Sequence, residues 1–111
     1  MIVSVLRFSL KPNSIQKLHQ VFLRHRIFQT AMAVEGCWKL VLSHPTEVQD
    51  EAYVIGFWQD RVAYQRWLDH PERGRSTDDL LPLMAGDFDP SAAAQLHEVL
   101  QSVPELPAWE K

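Results

Sequence analysis

The sequence predicts an α+β fold built on one four-stranded antiparallel sheet with helices on one face, and three observations carry that prediction. Segments 2–10, 37–44 and 51–58 are dense in β-branched and aromatic residues, as strands are. Two further segments place apolar residues at steps of three and four, the spacing of a helix with one buried stripe. The order is strand, helix, strand, strand, helix, and the second and third strands are joined by a short polar connection that suits antiparallel pairing. This is the start of a ferredoxin-like β-α-β-β-α-β plan, which a strand at residues 95–103 would complete.

In chain order, the first strand sets Val3 and Val5 on one face and Ile2, Leu6, Phe8 and Leu10 on the other. The run KPNS stops it, with Asn13 as helix cap and Gln16 as its capping-box partner. A single helix then carries Ile15, Leu18, Phe22, His25, Gln29 and Met32 on one stripe and ends before Gly36. In the second strand Trp38, Leu40 and Leu42 share a face and Cys37 and Val41 the other. In the third, Tyr53, Ile55 and Phe57 oppose Ala52, Val54 and Trp58. Asp60 caps a second helix that must stop near His70, because Pro71 disfavours helical geometry in the residue before it. A short helical piece capped by Ser76 or Thr77 runs toward Gly86, interrupted at Pro82. Residues 89–103 have helical period through Ala92, Ala93, Leu96, Val99, Leu100 and Val103. Residues 104–111, PELPAWEK, form a tail whose Trp109 suggests docking, which leaves residues 1–103 as one domain.

Composition narrows the function classes. With 111 residues, 46% hydrophobic and 23% charged, the chain is an ordinary single globular domain. A net charge of −3 with scattered Lys and Arg argues against a nucleic-acid surface. No stretch approaches the roughly 20 apolar residues of a membrane span, and MIVSVLRFSL reads as a strand and not a signal peptide, so the expected compartment is the cytoplasm. Cys37 is the sole cysteine, which rules out an intrachain disulfide.

The strands are apolar on both faces, yet two helices can cover only one. An antiparallel sheet with one wet face would alternate apolar and polar residues. Leaving the second face in water would expose a patch larger than monomers usually tolerate. A second copy packed sheet to sheet, forming a homodimer, is the expected solution.

Residues 34–72, VEGCWKLVLSHPTEVQDEAYVIGFWQDRVAYQRWLDHPE, resemble the antibiotic biosynthesis monooxygenase family in four features. These are a Gly-Cys start to the second strand, an acidic loop, a strand ending in Trp, and a helix closing on LDHP. LLPLMAG at 80–86 is similar to the segment before that family's last strand. The resemblance implies a dimeric α+β barrel and makes residues 95–103 the fourth strand, against their helical period. It also implies a class of chemistry, since members oxidise dihydroquinone-like or anthrone-like aromatics with O2 and without metal or flavin. Others cleave haem or bind small metabolites.

The resemblance gives Trp67 the place of a pocket tryptophan, where its ring would stack on an aromatic substrate. Trp58, Phe22 and Ala63 are the other expected substrate-binding positions. Ala63 stands where quinone-forming members carry Asn, and Arg7 and Thr77 stand where haem degraders carry Asn and His, so neither mechanism transfers unchanged. From the residues themselves, His25 and His70 are candidate bases for a phenol proton. Arg7 is a candidate stabiliser of an enolate or phenolate, or else a partner of Glu51. No metal-ligand spacing and no phosphate-binding glycine loop occurs, so no cofactor is expected. The chain reads as a cofactor-independent monooxygenase of a small aromatic; the alternatives are a non-catalytic small-molecule-binding dimer and, third, a haem-binding protein.

Overall fold

The computed structural model describes residues 1–86 and 93–106. The elements are β1 (Ile2–Ser9), α1 (Ile15–Arg24), α2 (Ile27–Met32), β2 (Cys37–Ser43), β3 (Glu51–Trp58), α3 (Arg61–Leu68), α4 (Thr77–Leu80) and β4 (Gln95–Glu98), with a 3-10 turn at Leu81–Leu83. The strands form one antiparallel sheet in the order β2-β3-β1-β4, the ferredoxin-like arrangement, with the helices on one face. The central pair is in register from Ile2 opposite Trp58 to Ser9 opposite Glu51.

Strand parity decides what is buried. Ile2, Ser4 and Phe8 of β1 and Ala52, Gly56 and Trp58 of β3 are buried on the helical side. Val3, Val5, Tyr53, Ile55 and Phe57 point to the other side and are half-buried, with none of the described helices above them. The core has two lobes. One gathers Phe8, Leu10, Leu18, Val21, Phe22, Leu80 and Met84 beneath α1; the other gathers Ile2, Val34, Cys37, Trp58, Ala63 and Tyr64 beneath α3. The segment after α4 is tied to the end of β1 by Lys11 N–H to Leu83 O at 2.9 Å and Ala85 N–H to Ser9 O at 2.8 Å.

Four sequence expectations are corrected. Ser14, not Asn13, precedes α1; Asn13 takes a positive φ of 62°, which suits an Asn at a turn but not a helix cap. The single helix expected up to Gly36 is two, because Arg26 adopts left-handed geometry (φ 50°, ψ 45°). That break turns Gln29 and Met32 outward and Ile27, Phe28 and Ala31 toward the sheet. A bulge between Cys37 and Lys39 shifts the register of β2 against β3. Cys37 therefore shares the helical face with Leu40 and Leu42, and Trp38 leaves it. Finally, β4 spans only Gln95–Glu98 of the expected 95–103. Pairing with β1 overrides the helical period there, and the ladder stops at Ile2 opposite Glu98. Beyond it Leu100 and Val103 are 96% and 86% exposed. Ala92 and the Trp109 tail lie outside the described residues.

Asp60 caps α3 as expected: its Oδ1 accepts the Ala63 N–H at 2.9 Å. Asp60→Ala is expected to cost about 1 kcal/mol, which lowers the melting temperature by about 4–8 °C in a domain of this size. Thermal unfolding followed by circular dichroism checks this.

Candidate functional site

Between the helical face of the sheet and the helices lies a cavity of about 90 Å³. Its floor is Ser4, Leu6 and Phe8 of β1, Leu40 of β2, and Val54 and Trp58 of β3. Its walls are Phe22 of α1, Ile27, Phe28 and Ala31 of α2, and Tyr64 and Trp67 of α3. Arg73, Ser76 and Thr77 close one corner. The break at Arg26 makes this space, since only the changed direction of α2 brings Ile27, Phe28 and Ala31 over it.

Interlocked aromatic rings fix the lining. Phe22 meets Phe28 edge-on at 5.4 Å and Phe8 at 6.3 Å between ring centres. Trp58 meets Tyr64 edge-on at 5.3 Å. The Trp58 Nε1–H donates to Ser4 Oγ at 2.9 Å, and the Tyr64 hydroxyl accepts the Ala94 N–H at 2.8 Å. Both polar handles are thereby satisfied within an apolar wall, as buried Trp and Tyr require.

Trp67, Trp58 and Phe22 come together around the cavity as candidate binding residues, while Ala63, His25, His70 and Arg7 lie outside its lining. Ala63 is fully buried against the loop before β2; a Cβ on Gly36 (φ +88°) would lie 2.6 Å from the Ala63 Cβ, so helix and loop meet at the closest approach two small residues allow. His70 ends α3. Its ring is tilted against Trp67 at 5.7 Å, and its Nδ1 accepts the Glu72 N–H at 3.1 Å. Arg7 is on the opposite face of the sheet, where its Nη2 meets Glu51 Oε1 at 2.7 Å. Glu51 also accepts from the Tyr53 hydroxyl at 3.1 Å, and these two donors, Arg7 first, hold its carboxyl below the usual range.

His25 borders a small hollow next to the cavity, and Ile27, Trp67, Arg73 and Ser76 line both spaces. Its Nε2 lies 2.6 Å from Asp79 Oδ2, and Arg24 Nη2 donates to the same oxygen at 3.0 Å. Arg75 pairs with Glu72 and donates to the His25 carbonyl at 2.5 Å. The hydrogen bond from His25, and after it that from Arg24, holds Asp79 below its ordinary 3.8. A carboxyl with a depressed folded-state pKa stabilises the fold above its unfolded pKa and loses that contribution as pH falls through the folded value. Stability is thus expected to drop below about pH 4, and Asp79→Asn is expected to flatten that acid limb in urea titrations between pH 2 and 7.

Burial pushes the Cys37 thiol up to about 12, which leaves it in the protonated, unreactive form. Among the described residues no group of three or more His, Cys, Asp or Glu is placed to hold a metal ion. No helix among them is long and apolar enough to cross a membrane.

Sequence reading missed Arg73, Ser76 and Thr77 as parts of one corner. The available clue was a basic residue in the turn directly after the helix that bears Trp67.

Sheet order and helical cover define a ferredoxin-like α+β domain with an aromatic-lined cavity. The antibiotic biosynthesis monooxygenase family model matches residues 1–76, and the chain belongs to that family. No curated protein matches it significantly. Among solved structures it is similar to SnoaB, a cofactor-independent oxygenase from Streptomyces nogalater, at 21% identity and a TM-score of 0.70 over 94% of this chain and 97% of that one. Rv0793 from Mycobacterium tuberculosis aligns at 15% identity and a TM-score of 0.71 over 91% and 96%. A conserved protein from Methanosarcina mazei Go1 aligns at 12% and 0.68 over 86% and 87%. At these identities the likeness concerns the fold.

Proposed function

We propose that the protein is a cofactor-independent monooxygenase that oxidises a small aromatic with O2. The observation that carries this reading is the pocket walled by Trp67, Trp58, Phe22 and Phe28 in a chain of this family. SnoaB, with the same fold, is a cofactor-independent oxygenase. In the reaction a base removes a proton from an electron-rich phenol or enol. The resulting anion gives one electron to O2, the radical and superoxide combine, and the peroxide loses water to leave a carbonyl. One oxygen atom of O2 stays in the product and the other leaves as water. Trp67 orients the ring, and the apolar walls keep bulk water from the intermediates. His25, held by Asp79 across the wall formed by Trp67 and Arg73, is the base for a hydroxyl that reaches that corner.

Oxygen uptake with hydroquinone or anthrone tests the reading. Uptake that falls in Trp67→Ala and His25→Gln while Trp67→Phe keeps most of it supports the enzyme; no uptake with either substrate removes it. The burial of Ala63 favours a second reading, a small-molecule-binding protein, because that position of α3 offers the cavity no polar group. Tight binding without oxygen use identifies it.

The active form we propose is a homodimer. Val3, Val5, Val41, Ile55 and Phe57 make an apolar surface on the face without helices, and a second copy covers it.

A further inference from the structure

The wall of the cavity formed by α2 is built differently from the others. α3 starts on the Asp60 cap and buries Ala63 and Tyr64, and α1 buries Leu18, Val21 and Phe22. α2 has six residues, no side-chain cap at its N-terminus and a single buried residue, Ala31. A helix that short has little stability of its own. It is bounded on both sides by backbone in the left-handed region, at Arg26 (φ 50°) and Gly36 (φ 88°). Arg26, which carries a Cβ, is strained there.

Two arginines from the opposite wall hold this segment. Arg75, in the turn between α3 and α4, donates to His25 O at 2.5 Å, directly before the break at Arg26. Arg66 of α3 donates to Glu35 O at 3.2 Å, directly before Gly36. Each guanidinium thus grips a carbonyl next to a residue of positive φ. Beyond the second grip, the Gln59 N–H donates to Gly36 O at 2.8 Å and pins that point to the end of β3. Glu72 pairs with Arg75, and its N–H donates to the His70 ring that lies against Trp67. The clasp is therefore continuous with the tryptophan that faces α2 across the cavity.

Resting on the reading of this cavity as the substrate site, we propose that α2 is a flap that swings about Arg26 and Gly36 to admit an aromatic ring, and that Arg75 and Arg66 hold it shut. The space between α2 and α3 is about 90 Å³, smaller than the roughly 150 Å³ apolar cavity that admits benzene. A ring held between the two helices needs them to part. The floor is fixed, because β1 and β3 each pair with a strand on both sides. α3 moves only by drawing Ala63 and Tyr64 away from Trp58. α2 gives up least when it lifts: Ala31 and the half-buried Ile27 and Phe28. Segments with few buried contacts are those that open locally. A guanidinium bonded to a carbonyl is among the stronger hydrogen bonds. Arg66 and Arg75 are both exposed, however, so water replaces the clasp when α2 lifts. The closed form is favoured without being locked.

Native-state hydrogen exchange of the unliganded protein, read by NMR, is the first test. The Thr30 and Val34 amides, which donate to Arg26 O and Ala31 O at 3.0 Å each, report on α2. They are expected to exchange at least about tenfold faster than Phe22 of α1 and Trp67 of α3, after correction for intrinsic rates. The double variant Arg66→Gln with Arg75→Gln is expected to speed Thr30 and Val34 at least about threefold more and to leave Phe22 and Trp67 unchanged. Equal protection of α2 and α1 in the wild type overturns the flap, and that comparison needs no variant to fold. A double variant that leaves α2 unchanged, or speeds all four amides alike, overturns the clasp. Benzene is the second probe. Wild type is expected to take it up with chemical-shift changes at Ile27, Phe28 and Trp67, and the double variant to take it up at least about threefold faster. No shifts, or one entry rate for both proteins, also overturns the proposal. Neither measurement uses oxygen: failure here leaves the oxygen-uptake test standing, and absence of uptake leaves the flap standing.

Discussion

Trp58→Ala is expected to remove about 3–5 kcal/mol of folding free energy. Domains of this kind hold about 5–15 kcal/mol in total, so the variant sits at or near the edge of folding. Trp58 is 1% exposed at the end of β3, opposite both Ile2 and Cys37, and it packs with Val34, Ala63 and Tyr64. Its indole also supplies the donor for the buried Ser4 hydroxyl, which the alanine variant leaves unpaired beside an empty space. Gly56 is part of the same fit. A Cβ there would lie 2.5 Å from the Trp58 Nε1 and 2.7 Å from Ser4 Oγ, so Gly56→Ala is expected to push the indole out of place. Urea denaturation reads both effects, and a loss below about 1 kcal/mol in Trp58→Ala would contradict the core described here.

The second large effect concerns the face without helices. Ile55 lies at its centre, opposite Val5 on one side and Val41 on the other. If a second copy covers that face, Ile55→Asp places an unpaired carboxylate in each half of an apolar contact, at about 3 kcal/mol or more. The dissociation constant then rises more than about a hundredfold. Sedimentation at micromolar concentration is expected to find the wild type as a dimer and the variant as a monomer with an unchanged circular dichroism spectrum. A monomeric wild type would contradict the homodimer.

Much of the fold was legible because local chemistry and tertiary demand agree. Asp60 reads as a cap in sequence and acts as one, and the parity of β1 and β3 follows from their alternation around Ser4, Gly56 and Arg7. Where local pattern and tertiary pairing conflict, the sequence misleads. Residues 95–98 have helical period, yet β1 offers them a free ladder and they take it. The turn at Arg26 has no glycine or proline to announce it, and the bulge that exchanges the faces of Cys37 and Trp38 leaves no compositional mark. The site divides the same way. Trp67 was legible through a family resemblance, and Phe22 through its place on a helical stripe. The place of Arg73 in the lining was not, because it depends on the turn after α3 meeting the space beside α2, and those segments are far apart in the chain.

The irregularity in β2 has an effect beyond the cavity. β2 is an outer strand of the sheet, with backbone amides and carbonyls available along one side. A flat row of such groups would template a foreign strand, and an inserted residue bends and twists that row out of alignment. Lys39, exposed beside the kink with its ammonium 5.9 Å from the Phe57 ring centre, adds a charge that any incoming strand would have to accommodate. In the proposed homodimer, which would form through the flat of the sheet, this edge is therefore disfavoured as a site of further strand pairing, and growth beyond a closed pair along β2 is disfavoured with it.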